Sequence, residues 1–339
     1  MGNLAKNKIL YLIIFLAPLV LVFCTLLIGR YPIPLKAIPQ ILLYPFIQDR
    51  SIVPDTHYTI IWEIRMPRAI LAALVGAALA VSGAAFQGLF RNPLVNSGML
   101  GVSAGAGFGA ALAILLFNRF SPYVYVFALF FGGIAVLLSY LVGRIYDTTP
   151  TVMLVLGGVV VSSIFSALTS YLKYVADPTN QLPAITFWLM GSFASASRQD
   201  LVIGVPPMLV GIVGLILIRW RINVLSMGDR EAQTLGINAN FDKLLAIGFA
   251  TTATAGAVCV SGTIGWVGLI IPHIGRMLVG NDNKILLPVS CALGASFLII
   301  VDNIARTITS GEIPIGILTS LVGGPFFIYL LKRTKGGAW

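Results

Sequence analysis

The residues able to do chemistry in this sequence are few, and their spacing excludes most reaction types. Cys24, Cys259 and Cys291 lie in or beside apolar segments with no metal-ligand spacing, which reads as three small core side chains. His273, in Ile271-Pro272-His273-Ile274-Gly275-Arg276, has no second histidine near it, and His57 stands alone in a predicted loop. Neither a G-x-x-x-x-G-K-[ST] phosphate loop nor an H-E-x-x-H metal motif occurs. Any ATP that drives this protein must be hydrolysed on another chain.

Polar groups gather in two other places. The first is residues 226–238, a hydrophilic island that includes Gly228, Asp229, Arg230, Glu231, Ala232, Leu235 and Gly236. Asp229 can cap a helix start or complement its dipole, Glu231 falls in the first turn, and Gly236 can take the left-handed conformation that ends a helix. Ala232 and Leu235 would give it one small apolar face. The spacing predicts a short helix outside the bilayer, which is either a solvated loop or a docking helix. The second place is a set of arginines at span ends: Arg65 and Arg68, flanking Pro67, and Arg306, one turn after Asp302. These either snorkel to the interface or form an outward basic ring for carboxylates of another protein.

The elements that must position these groups are membrane spans. Hydrophobic residues make up 58% of the chain and charged residues 10%, with a mean hydropathy of +0.94, far too apolar to cover a water-exposed surface. Basic residues are scattered at span ends, so the net charge of +10 fits the positive-inside rule and not nucleic acid. About 20 apolar residues cross a bilayer as a helix. By that rule about ten spans are expected, at 9–29, 66–90, 98–117, 122–143, 151–173, 199–218, 242–260, 264–280, 285–305 and 313–331, with a short non-crossing helix in 183–196. The apolar run after Lys6 and Lys8 is too long for a cleaved signal core and is predicted to be a retained first helix, with a kink at Pro18. Ten spans place both termini on one side. Assigning that side to the cytoplasm puts thirteen Lys and Arg inside and nine outside, with the island inside. Gly101, Gly105 and Gly109, and likewise Ala72, Gly76 and Ala80, have the small-residue spacing that lets helices approach closely within one chain. Every Asp and Glu falls at a span end or in a loop, which argues against an ion-coupled secondary transporter and against an intramembrane enzyme.

Taken in order, these motifs resemble the FecCD permease family, the membrane subunits of ABC importers for iron–siderophore complexes, haem and cobalamin. The resemblance runs from Arg65-Met66-Pro67-Arg68 through Gly83, Gln87, Asn92-Pro93-Leu94 and Leu100-Gly101-Val102-Ser103 to the island. It continues through Gly262-Thr263-Ile264-Gly265-Trp266 to Ile271-Pro272-His273, then Asp302, Ala305-Arg306, Glu312-Ile313-Pro314-Ile315-Gly316 and Gly323-Gly324-Pro325. Trp266 for the usual Phe, Val301 for Ala and Asn96-Ser97 for an acidic-Pro pair are its departures. The resemblance implies an all-α polytopic membrane protein of about ten transmembrane helices with the type II ABC importer permease fold, one permease domain over 1–339 and coupling helices at about 222–241. It implies a translocation path between two permease subunits, a homodimer ahead of a heterodimer, with Gly157, Ser162, Ser166, Gly316, Thr319 and Ser320 along it and a cytoplasmic gate at Thr148, Thr149 and Thr151. It implies that Gly228, Asp229, Arg230, Glu231, Ala232, Leu235 and Gly236 couple to an ABC ATPase dimer, and that Arg65, Arg68 and Arg306 dock a solute-binding protein. No cofactor would be bound by this chain; ATP and Mg would belong to the ATPase. The site would be a bacterial or archaeal cell (inner) membrane, with both termini cytoplasmic. The cargo would be a metal chelate, with an oxyanion such as molybdate as the alternative.

Overall fold

The computed structural model describes residues 2–47, 54–144, 150–309 and 311–333. Fifteen α-helices are described: α1 (Gly2–Leu27), α2 (Ile38–Ile47), α3 (Asp55–Tyr58), α4 (Met66–Phe90), α5 (Val102–Leu116), α6 (Tyr123–Gly143), α7 (Thr151–Val175) and α8 (Gln181–Met190). They continue with α9 (Arg198–Leu217), α10 (Arg219–Leu225), α11 (Asp229–Thr234), α12 (Ala239–Ser261), α13 (Val267–Val279), α14 (Asn283–Thr307) and α15 (Ile315–Arg333). Seven helical segments are long and apolar enough to cross a membrane, and α5, α13 and α15 are shorter apolar helices. Together they are the ten spans expected. A helix satisfies its own backbone, so it is the element an open chain can place in hydrocarbon.

The fold is built around α4. A π-helical turn, Thr59–Arg65, runs into it, and almost every residue from Pro67 to Phe90 is buried. A helix apolar on all sides belongs at a centre, and α14, α12, α9 and α13 pack around it. Small residues set how closely they pack. A Cβ on Gly76 would strike the Gly294 carbonyl of α14, and one on Gly83 would strike Gly268 of α13. On α5, Gly105 and Gly109 face the backbone of Phe131 and Phe127 on α6. The four-residue glycine spacing therefore serves packing inside one chain.

Two features depart from simple spans. The 262–266 segment between α12 and α13 is not helical, although Ser82 on mid-α4 bonds to the Ala250 carbonyl and neighbouring Gly83 meets Gly268. Open backbone at that depth is tolerated because protein covers it. Thr263 Oγ1 donates to the Leu189 carbonyl, Ser192 N donates to Ser261 O, and Ile315 N donates to Gly191 O. The ends of α8, α12, α13 and α15 thus meet in one knot, with Gly191 and Gly262 at positive φ. The other departure is His57, which lies in α3 with its ring edge-on to Tyr31 and not in a solvated loop.

Candidate functional site: the polar island and the faces around the path

The island folds around the short helix α11, with α10 leading into it. α10 and α11 meet at Gly228, whose φ of 134° few other residues adopt. Gly228 is the N-cap of α11 and no side chain caps it; Asp229 instead accepts from Lys243 Nζ on α12 at 2.6 Å. Arg221 on α10 donates to Asp242 at 2.6 Å. Lys243 and Asp242 are buried, so the island is fixed to the N-terminal end of α12 by two ion pairs rooted in the core. Asn223 Oδ1 accepts from Asn283 N, which joins α10 to the start of α14. Gly236, at φ 78°, ends α11 while Ile237 N bonds to the Ala232 carbonyl.

The island's outer surface carries Arg230 and Glu231 with two exposed apolar side chains, Leu235 at 56% and Met227 at 59%. Ala232 does not share that surface. It is fully buried, because its Cβ points down onto the core under α11, which corrects the expected Ala232–Leu235 face. Sequence reading also missed Arg221, Asp242 and Lys243. Their charge types were visible: with Asp229 they make two bases and two acids within 221–243, in a chain that has few charges.

The three arginines are not displayed. Arg65 is buried and donates to the carbonyls of Leu26 and Tyr31, each at 2.6 Å, lying against Gly29. Arg68 spans Asp302 at 2.8–3.0 Å and reaches Glu312 at 2.9 Å. Arg306 donates to the Thr25 carbonyl and to Asn303. The outward basic ring is therefore corrected: these guanidiniums tie α1, α4, α14 and the start of α15 together. Asp302 pairs with Arg68 and not with Arg306, one turn away, because Arg68 offers two nitrogens to both carboxylate oxygens. Among the described residues, the cations exposed at this end are Arg30, Lys36, Arg119 and Arg198.

Along α7 and α15 the path residues divide. Ser166 and Ser320 are exposed. Gly157 instead meets the Ser139 carbonyl of α6, Ser162 packs on Gly101, the residue before α5, and Gly316 meets the Met190 carbonyl. Thr319 is fully buried and bonds back to Gly316. These small residues lie on the packed faces, which is where small residues allow close approach. The unpartnered faces carry Leu156, Val159, Val160 and Ile164 on α7 and Ile317, Leu321 and Ile328 on α15. Thr151 opens α7; Thr148 and Thr149 lie outside the described residues.

This arrangement, a ten-span bundle with a polar helical hairpin at one end, has clear relatives. Residues 16–333 match the FecCD transport family. The chain belongs to that family and is a permease subunit of an ABC importer. The molybdate import permease MolB of Haemophilus influenzae is 42% identical over 91% of each chain. An iron chelatin permease of Helicobacter pylori is 44% identical over 82% of this chain and 83% of its own. A solved metal-chelate type ABC transporter in an inward-facing conformation superposes with a TM-score of 0.84 at 38% identity, covering 96% of this chain and 99% of that one. Other relatives bear the names of cobalamin and hemin permeases.

Proposed function

We propose that this chain carries a metal chelate, such as a ferric siderophore, haem or cobalamin, inward across a bacterial or archaeal cell membrane as one half of a homodimer. An ABC ATPase dimer docks on the island in the cytoplasm, where both termini also lie, and it binds and hydrolyses ATP with Mg; this chain catalyses nothing and binds no cofactor. A solute-binding protein delivers the cargo at the opposite end. Contact through Arg65, Arg68 and Arg306 would require breaking buried bonds, so the exposed Lys36 and Arg119 are the better candidates for docking, followed by Arg30 and Arg198, which are exposed but bonded to Thr309 and Glu63. The observation that carries the motor reading is the island itself. Exposed Leu235 and Met227 sit on a charged protrusion that two ion pairs, each with one buried member, tie to α12, as a lever that must pass on a motion requires.

The unpartnered faces of α7 and α15 are apolar, with hydroxyls and no charge until Lys173 and Lys332 at the helix ends. That suits a bulky chelate released by its binding protein without a tight pore site. A second reading, molybdate, is favoured by the relative at 42% identity. Uptake by proteoliposomes holding the permease, its ATPase and its binding protein separates them. ATP-dependent entry of a labelled ferric siderophore, haem or cobalamin is expected; entry of labelled molybdate alone would replace the chelate reading. Double substitution Met227→Asp with Leu235→Asp is expected to release the ATPase during co-purification, and full retention would remove the island's docking role.

A further inference from the structure

Several motif residues have no part in the path or the island, and the structure gathers them in one place. Gln87, Arg91 and Asn92 at the end of α4, His273 and Arg276 on α13, Asn281 before α14 and Asn283 at its start line a single cavity of about 500 Å³, which Ser226 at the edge of the island completes. No Asp or Glu is among its lining residues. The Arg276 guanidinium is held in place by Gln87 Oε1. Arg91 is exposed and stands at the left-handed residue that ends α4, where its guanidinium and the Glu231 carboxylate both approach Gly228. Met277, 56% exposed near the end of α13, forms an apolar part of the wall.

We propose that this cavity is a binding site for a phosphoryl anion, and that the anion is the head group of an acidic phospholipid in the leaflet on the island side. Two guanidiniums give planar, paired donors that match phosphate oxygens, and the side-chain amides add neutral donors around them. The volume exceeds what one side chain fills. Basic pockets between spans at the inner face take phospholipid head groups by this chemistry, and Met277 gives an acyl chain an apolar surface to leave along. Occupancy would link α4, α13 and α14 to the element on which the motor docks, because Ser226 is part of the wall.

The test uses the whole transporter, permease with ATPase, stripped of lipid and titrated separately with phosphatidylglycerol, phosphatidylcholine and inorganic phosphate. Bound lipid is read by native mass spectrometry. Phosphatidylglycerol is expected to be retained in preference to phosphatidylcholine, and Arg91→Gln with Arg276→Gln is expected to weaken it by about tenfold or more, the effect of losing charged hydrogen bonds. Saturable phosphate binding without a lipid preference, lost in the same variant, would support the anion site but assign it a soluble ligand. Equal retention of the two lipids by the unsubstituted transporter, with no phosphate binding, would overturn the proposal whether or not the variant folds. So would a variant that keeps its lipid preference but sheds the ATPase, since a carboxylate of the motor would then be the true occupant. ATPase retention by the unsubstituted complex is read in the same spectra, so a failure of the motor reading is seen separately.

Discussion

At the residue scale, what matters is which charges have been given partners and how deep those partners lie. Asp302 is 1% exposed and its carboxylate is matched by Arg68. Removing one member of a buried pair leaves an uncompensated charge, which costs about 3–5 kcal/mol. Arg68→Ala is therefore expected to lower the unfolding temperature of the purified permease strongly, and Arg68→Lys to recover only part of the loss because one ammonium cannot span both oxygens. A thermal melt of Arg68→Ala equal to the unsubstituted protein would contradict the buried tie. Lys243→Met should behave differently. Asp229 is half exposed and water can solvate it, so the stability cost is expected to be small, about 1 kcal/mol. The loss should appear in coupling, as ATP hydrolysis that cargo-loaded binding protein no longer stimulates. These partners were largely illegible in the sequence. Arg68 and Asp302 are 234 residues apart, and nothing local says which of two nearby bases an acid will choose. The charge types were visible; their pairing is a property of the packed bundle.

At the element scale, helices were easy to read and their faces were not. Long apolar runs bounded by Gly and Pro located the spans, because a bilayer leaves a chain few other ways to satisfy its backbone. The small residues along α7 and α15 looked like a path lining, yet Gly157 and Ser162 turn inward to neighbouring helices. Composition alone cannot tell a pore from a close contact, since both favour small side chains. The close contacts make a sharp prediction. Gly76→Val forces a side chain against the Gly294 backbone carbonyl, which cannot swing away, and should cost about 1–3 kcal/mol or abolish assembly. Gly133→Ala, with nothing within 4 Å of the added carbon, is the matched control and should melt as the unsubstituted chain does. Similar losses from both would show that the α4–α14 crossing is not specially tight.

At the scale of the whole molecule, the apolar faces of α7 and α15 remain uncovered, as do those of α1, α6 and α9. In the proposed homodimer the partner subunit would cover the first two, and lipid is left for the others. With Cys24, Cys259 and Cys291 replaced, single cysteines at Leu321 and Val160 are expected to give cross-linked dimers under oxidation, whereas one at Val210 on α9 should not. Cross-linking through Val210 alone would move the dimer seam to the other side of the bundle. The ten-span architecture was legible at this scale because it follows from hydropathy. Which exposed face meets protein was not, since lipid and a second subunit ask the same apolar surface of a helix.

The broken stretch between α12 and α13 has a consequence for how the chain is made. α13 has 13 residues, about 20 Å of helix against a hydrocarbon core of about 30 Å. Released from the ribosome alone, it is too short to settle across the membrane, and the non-helical turn before it would meet lipid with its amides bare. The synthesis machinery is therefore expected to hold α12, the turn and α13 together until α14 follows, so that these segments leave the translocon as one partly folded unit. On that expectation the interior of this protein begins to form before its last helix has been translated.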